Sequence, residues 1–277
     1  MPAAEEHLRP DMIKRFRKVI YDHYKKHARS MPWRSTTDPY RILVSEIMLQ
    51  QTQVDRVIAK YEQFVERFPD FQTLARATLH DVLEVWQGLG YNRRAMFLKK
   101  IAELVMQEPA KELPRDLDRL QEFPGLGYAT ACSLMAFAFN EPVVFIETNI
   151  RTVFIHFFFL EKDDVKDGDI RPLVEQTLDR RNPRVWYWAL MDYGSMLKRT
   201  QGSNNPRSAH YQKQTPYKGS GRQVRGIILR HLLAHPHSTA STMARELEIP
   251  LGRLEVGLKH LAAEGFVRES EGAYAIA

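Results

Sequence analysis

Apolar residues recur at helical spacing along most of the chain. Between residues 12 and 27, Ile13, Phe16, Val19, Ile20 and Tyr24 share one face, which predicts an amphipathic helix. After a turn at 31–34, Pro39 opens a second helix in which Ile42, Leu43, Ile47 and Leu49 are apolar. The same period predicts helices at 54–68, 71–76, 79–86, 93–107 and 117–121, punctuated by Pro69, Gly88, Gly90 and Pro114. Further helices are expected at 128–139, from near Thr148, at 172–178 and at 183–197. Strand-like alternation is nearly absent before residue 215, so the fold class is all-α.

The texture changes towards the carboxyl end. Residues 200–221 are rich in Gly, Ser, Asn, Pro and basic side chains, the chemistry of a linker or loop. Helices then follow at 224–234, 239–247 and 250–264, with Thr239 or Ser241 as a cap and Gly265 as a stop. Residues 266–276 alternate around Glu271-Gly272 as a small hairpin does. Three helices and a hairpin describe a winged helix. No internal repeat or low-complexity tract interrupts the pattern.

Composition narrows the partners. The chain has 277 residues, of which 44% are hydrophobic, enough for a sizeable core. Its net charge is +6 at a pI near 9.3, which favours anionic partners. From Tyr193 through Arg245 there is no acidic residue, while Lys198, Arg199, Arg207, Lys213, Lys218, Arg222, Arg225 and Arg230 all fall there. Such a run is either a solvated basic linker or a patch that tracks phosphates, and the winged helix beyond it favours the second. Cys132 is the one cysteine, so an intramolecular disulfide and a four-cysteine metal cluster are both excluded. The polar amino terminus is unlike a secretory signal, and no apolar run reaches membrane-spanning length. The expected location is the cytoplasm (the bacterial nucleoid) or another intracellular DNA compartment.

Four motifs could carry chemistry. Phe123-Pro124-Gly125-Leu126-Gly127 joins two helices by a tight turn. Gly125 and Gly127 allow positive φ and let a backbone approach closely, and the amides opening the next helix face an anion. Alone, the string is also an ordinary helix–helix turn. Glu147-Thr148-Asn149-Ile150-Arg151 follows the apolar run 143–146 and places a carboxylate at a helix start. Alone, it is also a helix cap. Glu46 lies among the apolar residues of the second helix, where burial raises a carboxyl pKa and lets it hold a proton. It would equally suit a polar helix face. Gln50, Gln51 and Thr52 end that helix with groups that reach base edges or fill a gap in a duplex. Finally, Gly88-Leu89-Gly90-Tyr91-Asn92-Arg93-Arg94 sets an aromatic wedge beside two phosphate-seeking arginines, or is a glycine turn before a basic helix start.

The order of these motifs is more specific than any one of them. Pro32-Trp33-Arg34, Asp38-Pro39-Tyr40, Ser45-Glu46, Leu49-Gln50-Gln51-Thr52-Gln53, Gly88-Leu89-Gly90-Tyr91, the hairpin and Glu147-Thr148-Asn149 follow in series. The series resembles the helix-hairpin-helix DNA glycosylases, and within them the branch that removes adenine opposite oxidised guanine. The resemblance implies a two-lobed helical fold that flips its target nucleotide. It places a discontinuous lobe at 1–33 with 142–215 and a helical barrel at 34–141; the winged helix read at 220–277 stands where that branch carries a domain that reads the oxidised guanine. It implies that Glu46 protonates the base and that Glu147 stabilises charge on the sugar, with Tyr128 and Asn149 in support. Gln50, Gln51, Tyr91, Arg93, the hairpin residues Pro124, Gly125, Leu126 and Gly127, and Lys198, Arg199 and Arg207 would meet DNA. Arg34, Leu49 and Trp188 would line the base pocket.

The sequence also departs from that family. Glu147 stands where the family usually has aspartate. Ala129 occupies the position of the nucleophilic lysine of bifunctional members, so a monofunctional enzyme is expected. The cysteines of the family's iron–sulfur loop are missing after Gly194, so no such cluster is expected. A monovalent cation at the hairpin backbone is the one ion for which the resemblance leaves room. Trp188 replaces an adenine-holding acceptor, and an indole offers only one N–H. The implied enzyme hydrolyses an N-glycosidic bond in double-stranded DNA bearing a damaged or mismatched base, acting as a monomer without a membrane. Its alternatives are a mismatch or deaminated-pyrimidine (uracil or thymine) glycosylase, a DNA-binding protein without chemistry and, last, a lyase.

Overall fold

The computed structural model describes residues 7–202, 207–209, 216–217 and 219–277. In chain order these form α1 (Pro10–His27), a 3-10 turn (Pro32–Arg34), α2 (Pro39–Leu49), α3 (Val54–Arg67), α4 (Phe71–Arg76), α5 (Leu79–Trp86), α6 (Arg93–Val105), α7 (Leu117–Gln121), α8 (Tyr128–Phe137), α9 (Thr148–Phe158), α10 (Asp167–Thr177) and α11 (Pro183–Gln201). Then come α12 (Gly221–Ala234), β1 (Ser238–Thr239), α13 (Ala240–Glu246), α14 (Leu251–Ala263), β2 (Val267–Ser270) and β3 (Ala273–Ile276). The protein is therefore mostly helical and ends in a three-stranded winged helix. No helix among the described residues is long and apolar enough to cross a membrane.

The chain forms two compact units, Met1–Glu46 with Leu113–Lys213, and Ile47–Glu112 with Gln214–Ala277. In the first, α1 and α9 pack on α11 through aromatic rings. The Phe16 ring lies 5.2 Å from Phe158, 5.4 Å from Phe154 and 5.8 Å from Trp186, centroid to centroid. Burial of each such ring contributes about 1.5–3 kcal/mol. Helix α8 is buried without a break from Ala131 to Ala138, so protein surrounds it on every side. It ends at Phe137, two residues before the expected stop. Helix α10 starts at Asp167, five residues before the expected start, and Pro172 lies inside it. The acidic residues Asp167 and Asp169 open this helix, and the Asp169 carboxylate accepts the Lys166 N–H at 3.3 Å.

In the second unit, Phe64 and Trp86 meet edge to face at 5.9 Å within a core shared by α3, α5 and α6. Thr78 and Asp81 form a reciprocal capping box that starts α5. The winged helix has strand order β1-β3-β2, with Val267 opposite Ile276. Glu271 and Gly272 both have positive φ, 55° and 77°, as a two-residue hairpin turn requires. This segment falls in the same compact unit as α3–α6. The Glu264 carboxylate at the end of α14 takes Arg93 at 2.7 Å and Arg225 at 2.8 Å, and His80 meets the Leu233 carbonyl at 3.2 Å.

Candidate active site

Helix α2 buries Ile42, Leu43, Val44, Ser45, Ile47 and Met48, which leaves Glu46 in an apolar run. Loss of water pushes the Glu46 pKa up to about 7, and the negative charge of Glu147 adds to the rise. A hydrogen bond from Ser133 and the positive charge of Arg34 oppose it without cancelling it. Ser133 is itself buried and has one hydroxyl proton. Turned to Glu46, that proton favours the carboxylate. Turned to the Thr130 carbonyl at 2.8 Å, it leaves the Ser133 oxygen to accept from the protonated acid. The site can therefore hold Glu46 in either state, half protonated near pH 7.

Arg34 is fixed from two sides. Its Nη1 and Nη2 each donate to the Asp192 carboxylate at 2.8 Å, a bidentate pair, and its guanidinium carbon lies 5.5 Å from the centre of the Trp188 ring. Arg29 reaches the same carboxylate at 2.6 Å. Burial alone would raise the Asp192 pKa, but the two arginines outweigh it and hold it low. Trp188 stacks on Phe137 at 6.0 Å and 23°. Arg34 and Trp188 therefore stand together, while Leu49 ends α2 in the second unit.

Glu147 caps α9. Its Oε1 accepts the backbone N–H groups of Asn149 at 2.7 Å and Ile150 at 2.9 Å, and its Oε2 accepts the Asn149 side-chain amide at 3.2 Å. The amide oxygen of Asn149 in turn accepts from Lys198 Nζ at 2.8 Å. Glu147, Asn149 and Lys198 thus form one chain of polar contacts. Gly194 makes this possible: a Cβ there would meet the Asn149 Cβ at 2.8 Å and run into its carbonyl oxygen. Lys198, one turn later on α11, then points along the same face. Desolvation lowers the Lys198 pKa, against the pull of Glu147.

The hairpin is a type II turn. Leu126 N–H donates to the Phe123 carbonyl at 3.2 Å, with Pro124 second and Gly125 third at φ 80°. Gly127 does not use the positive φ open to a glycine: it caps α8 in the extended region at φ −71°, and a Cβ there would meet nothing within 4 Å. Gly125, Gly127, Tyr128 and Ala129 are exposed, whereas Leu126 anchors the turn in the core. No side chain caps α8. Tyr128 donates to the Val144 carbonyl at 3.0 Å and accepts from Arg171 at 3.1 Å.

Gln51 and Tyr91 lie in the second unit, each at a turn and each at positive φ, 55° and 48°. Both are exposed, and Gln50 precedes the first of them just past α2. Arg93 reaches Glu264 of the winged helix with more than half of its side chain still exposed. Arg199 is exposed, while Arg207 turns to Asp163 and to the carbonyls of Phe159 and Lys162. Lys213 and Lys218 of the basic stretch lie outside the described residues.

The sequence pattern did not single out Ser133, Asp192, Arg29 or Gly194 for the site. Only the close approach of α11 to α9 reveals Gly194, and only the fold pairs Asp192 with Arg34. Among the described residues, no group of three or more His, Cys, Asp or Glu is placed to hold a metal ion. With Cys132 alone, buried in α8, this chain's thiols do not fit an iron–sulfur cluster.

The pattern of HhH-GPD superfamily base excision DNA repair proteins matches residues 44–175. An adenine DNA glycosylase of Mycolicibacterium smegmatis is 31% identical over 281 residues, covering 93% of each chain. One from Buchnera aphidicola subsp. Baizongia pistaciae is 32% identical over 181 residues, covering 64% of this chain and 50% of that one. The chain spans about half the length of the first curated relatives it matches. The solved structure of a thermostable thymine-DNA glycosylase aligns with a TM-score of 0.61 at 22% identity, over 70% of this chain and 91% of that one.

Proposed function

This chain belongs to the HhH-GPD superfamily of base excision DNA repair proteins, and from that premise we propose that it is a monofunctional DNA glycosylase acting on duplex DNA. The observation that carries the reading is Glu46, a carboxyl held near half protonation at neutral pH beside a second carboxylate. A protein that merely binds DNA has no need of a half-buried acid flanked by apolar residues.

The reaction breaks the bond between C1′ and the base nitrogen. Glu46 gives its proton to the extruded base, and the bonding pair leaves with the base. General acid catalysis of this kind contributes about 10²–10⁴ in rate. Positive charge develops on the sugar and faces the Glu147 carboxylate. Water adds to C1′, loses a proton, and leaves an abasic sugar. Asn149 and Lys198 keep the Glu147 carboxylate in place. The methyl group of Ala129 cannot form an imine, in keeping with hydrolysis without strand cleavage. No step requires an iron–sulfur cluster.

The exposed amides that open α8 suit a DNA phosphate, and Gln51 and Tyr91 suit the gap left by the extruded nucleotide. Arg34, Leu49 and Trp188 suit the extruded base itself. The relatives' names point to adenine. Trp188 favours a second reading, a mispaired or deaminated pyrimidine, because the indole supplies no acceptor for an adenine amino group. The protein would work as a monomer in an intracellular DNA compartment.

The test is a panel of duplexes, each with one modified or mispaired base, scored for free base and for strand breaks before and after alkali. Release of one base, with breaks only after alkali and none by Glu46→Gln, is expected. Full activity of Glu46→Gln, or no release from any duplex, overturns the reading. Adenine opposite oxidised guanine and uracil or thymine opposite guanine separate the two choices of base.

A further inference from the structure

Arg94 is a buried cation whose hydrogen-bond acceptors are all neutral. Its Nη1 donates to the carbonyls of Ile47 at 2.9 Å, Met48 at 2.8 Å and Gln50 at 2.5 Å. Its Nη2 donates to the Thr52 hydroxyl at 3.0 Å and to the carbonyls of Gly90 at 3.1 Å and Leu89 at 3.5 Å. The guanidinium also lies 5.2 Å from the Tyr91 ring centre and 5.5 Å from that of Trp86, whose Nε1 donates to the Gly90 carbonyl at 3.1 Å. An arginine taken out of water is costly unless its donors are satisfied; both Nη groups are bonded while the buried Nε–H is not, and the last carbonyls of a helix are the negative end of its dipole.

These acceptors come from two turns far apart in sequence. One ends α2 and carries Gln51; the other precedes α6 and carries Tyr91. Both residues hold a left-handed backbone that side chains other than glycine rarely adopt. Such strain persists only where the surroundings fix it. Arg94 reaches both turns. Lysine could not replace it, because three donors on a point charge cannot satisfy six acceptors spread over two loops.

We propose that Arg94 is a positioning residue that locks the turn bearing Gln51 to the turn bearing Tyr91, so that the two side chains enter a duplex as one rigid pair. The role in DNA rests on the glycosylase reading above; the lock itself rests on the contacts just given.

The experiment uses the full chain and two duplexes, one undamaged and one carrying a single tetrahydrofuran abasic analogue, with binding followed by fluorescence anisotropy. Arg94→Lys should bind the abasic duplex about tenfold more weakly, a loss of one or two charged hydrogen bonds, with at most a twofold change on the undamaged duplex. Combined with Gln51→Ala it should cost little more than either change alone. Amide exchange should quicken in both turns together. If Arg94→Lys does not fold by circular dichroism, Thr52→Val removes one partner and should give a smaller loss of the same kind. Equal loss on both duplexes, or full additivity with Gln51→Ala, overturns the lock. A wild-type chain that does not distinguish the two duplexes defeats the glycosylase reading and this role with it. A wild type that distinguishes them, beside an Arg94→Lys chain that does so equally well, defeats the lock alone.

Discussion

Replacing Glu46 by glutamine should stabilise the protein above neutral pH and leave it unchanged in acid. The carboxyl is held at about 7 instead of its ordinary 4.5, chiefly by loss of water and secondarily by Glu147. Between these values the folded chain binds a proton that the unfolded chain has released, so stability falls as pH rises. The contribution is fully present below 4.5 and lost as pH passes through 7. At 1.36 kcal/mol per pH unit, the ionised form costs about 3 kcal/mol by pH 8. Glutamine resembles the protonated acid in shape and can bond to either orientation of the Ser133 hydroxyl, so it avoids that cost. Urea unfolding of both chains at pH 5, 6, 7 and 8 should show a stability gap that opens by about 2–3 kcal/mol across the series, while base release is lost. A gap that stays flat with pH would mean that Glu46 ionises freely and cannot serve as the acid.

Four further outcomes follow from the geometry. Gly125→Ala should destabilise the chain by about 1–2 kcal/mol in thermal unfolding, because φ is 80° there. Gly127→Ala should cost under about 1 kcal/mol yet weaken duplex binding in a titration, since its methyl group would stand before the exposed amides of α8. Gly194→Ala should cost about 1–3 kcal/mol and lower the single-turnover rate of base release, by pushing Asn149 away from Glu147. Trp188→Ala should weaken binding to the substrate duplex about tenfold by anisotropy, the worth of one base–aromatic stack.

Much of this was legible in the sequence because local rules were strong. Helices α4, α5 and α7 begin and end where periodicity and capping placed them, and the hairpin of the winged helix turns at Glu271-Gly272. Legibility ended where a signal had two meanings. Pro172 reads as a helix start, yet it sits within α10, whose true start is marked by acidic residues that also suit a loop. Gly127 reads as a positive-φ position, yet only Gly125 needs one. Long-range pairing was hidden altogether: Arg34 and Asp192 are 158 residues apart, and nothing local to either announces the other. Lys198 and Arg207 read as phosphate ligands from charge alone, but three-dimensional packing decides which cations face solvent.

The pairing of Arg34 with Asp192 also bears on base choice. A free guanidinium on a pocket wall would read a base by its acceptors. Here the fork is engaged by a buried carboxylate and the flat face by Trp188, so in the pocket proposed above the wall would offer stacking in place of directed donors. Stacking tolerates every base, since each has a π face. On that reading the wall disfavours adenine only by lacking an acceptor, and finer discrimination comes from two further steps. One is extrusion, easiest for a base already poorly paired, the step assigned above to Gln51 and Tyr91 as a proposal. The other is protonation, which succeeds only for a base that presents an acceptor to an acid poised near pH 7 and departs once protonated. Selectivity placed in these steps acts on the transition state, so it separates substrates by turnover more than by binding.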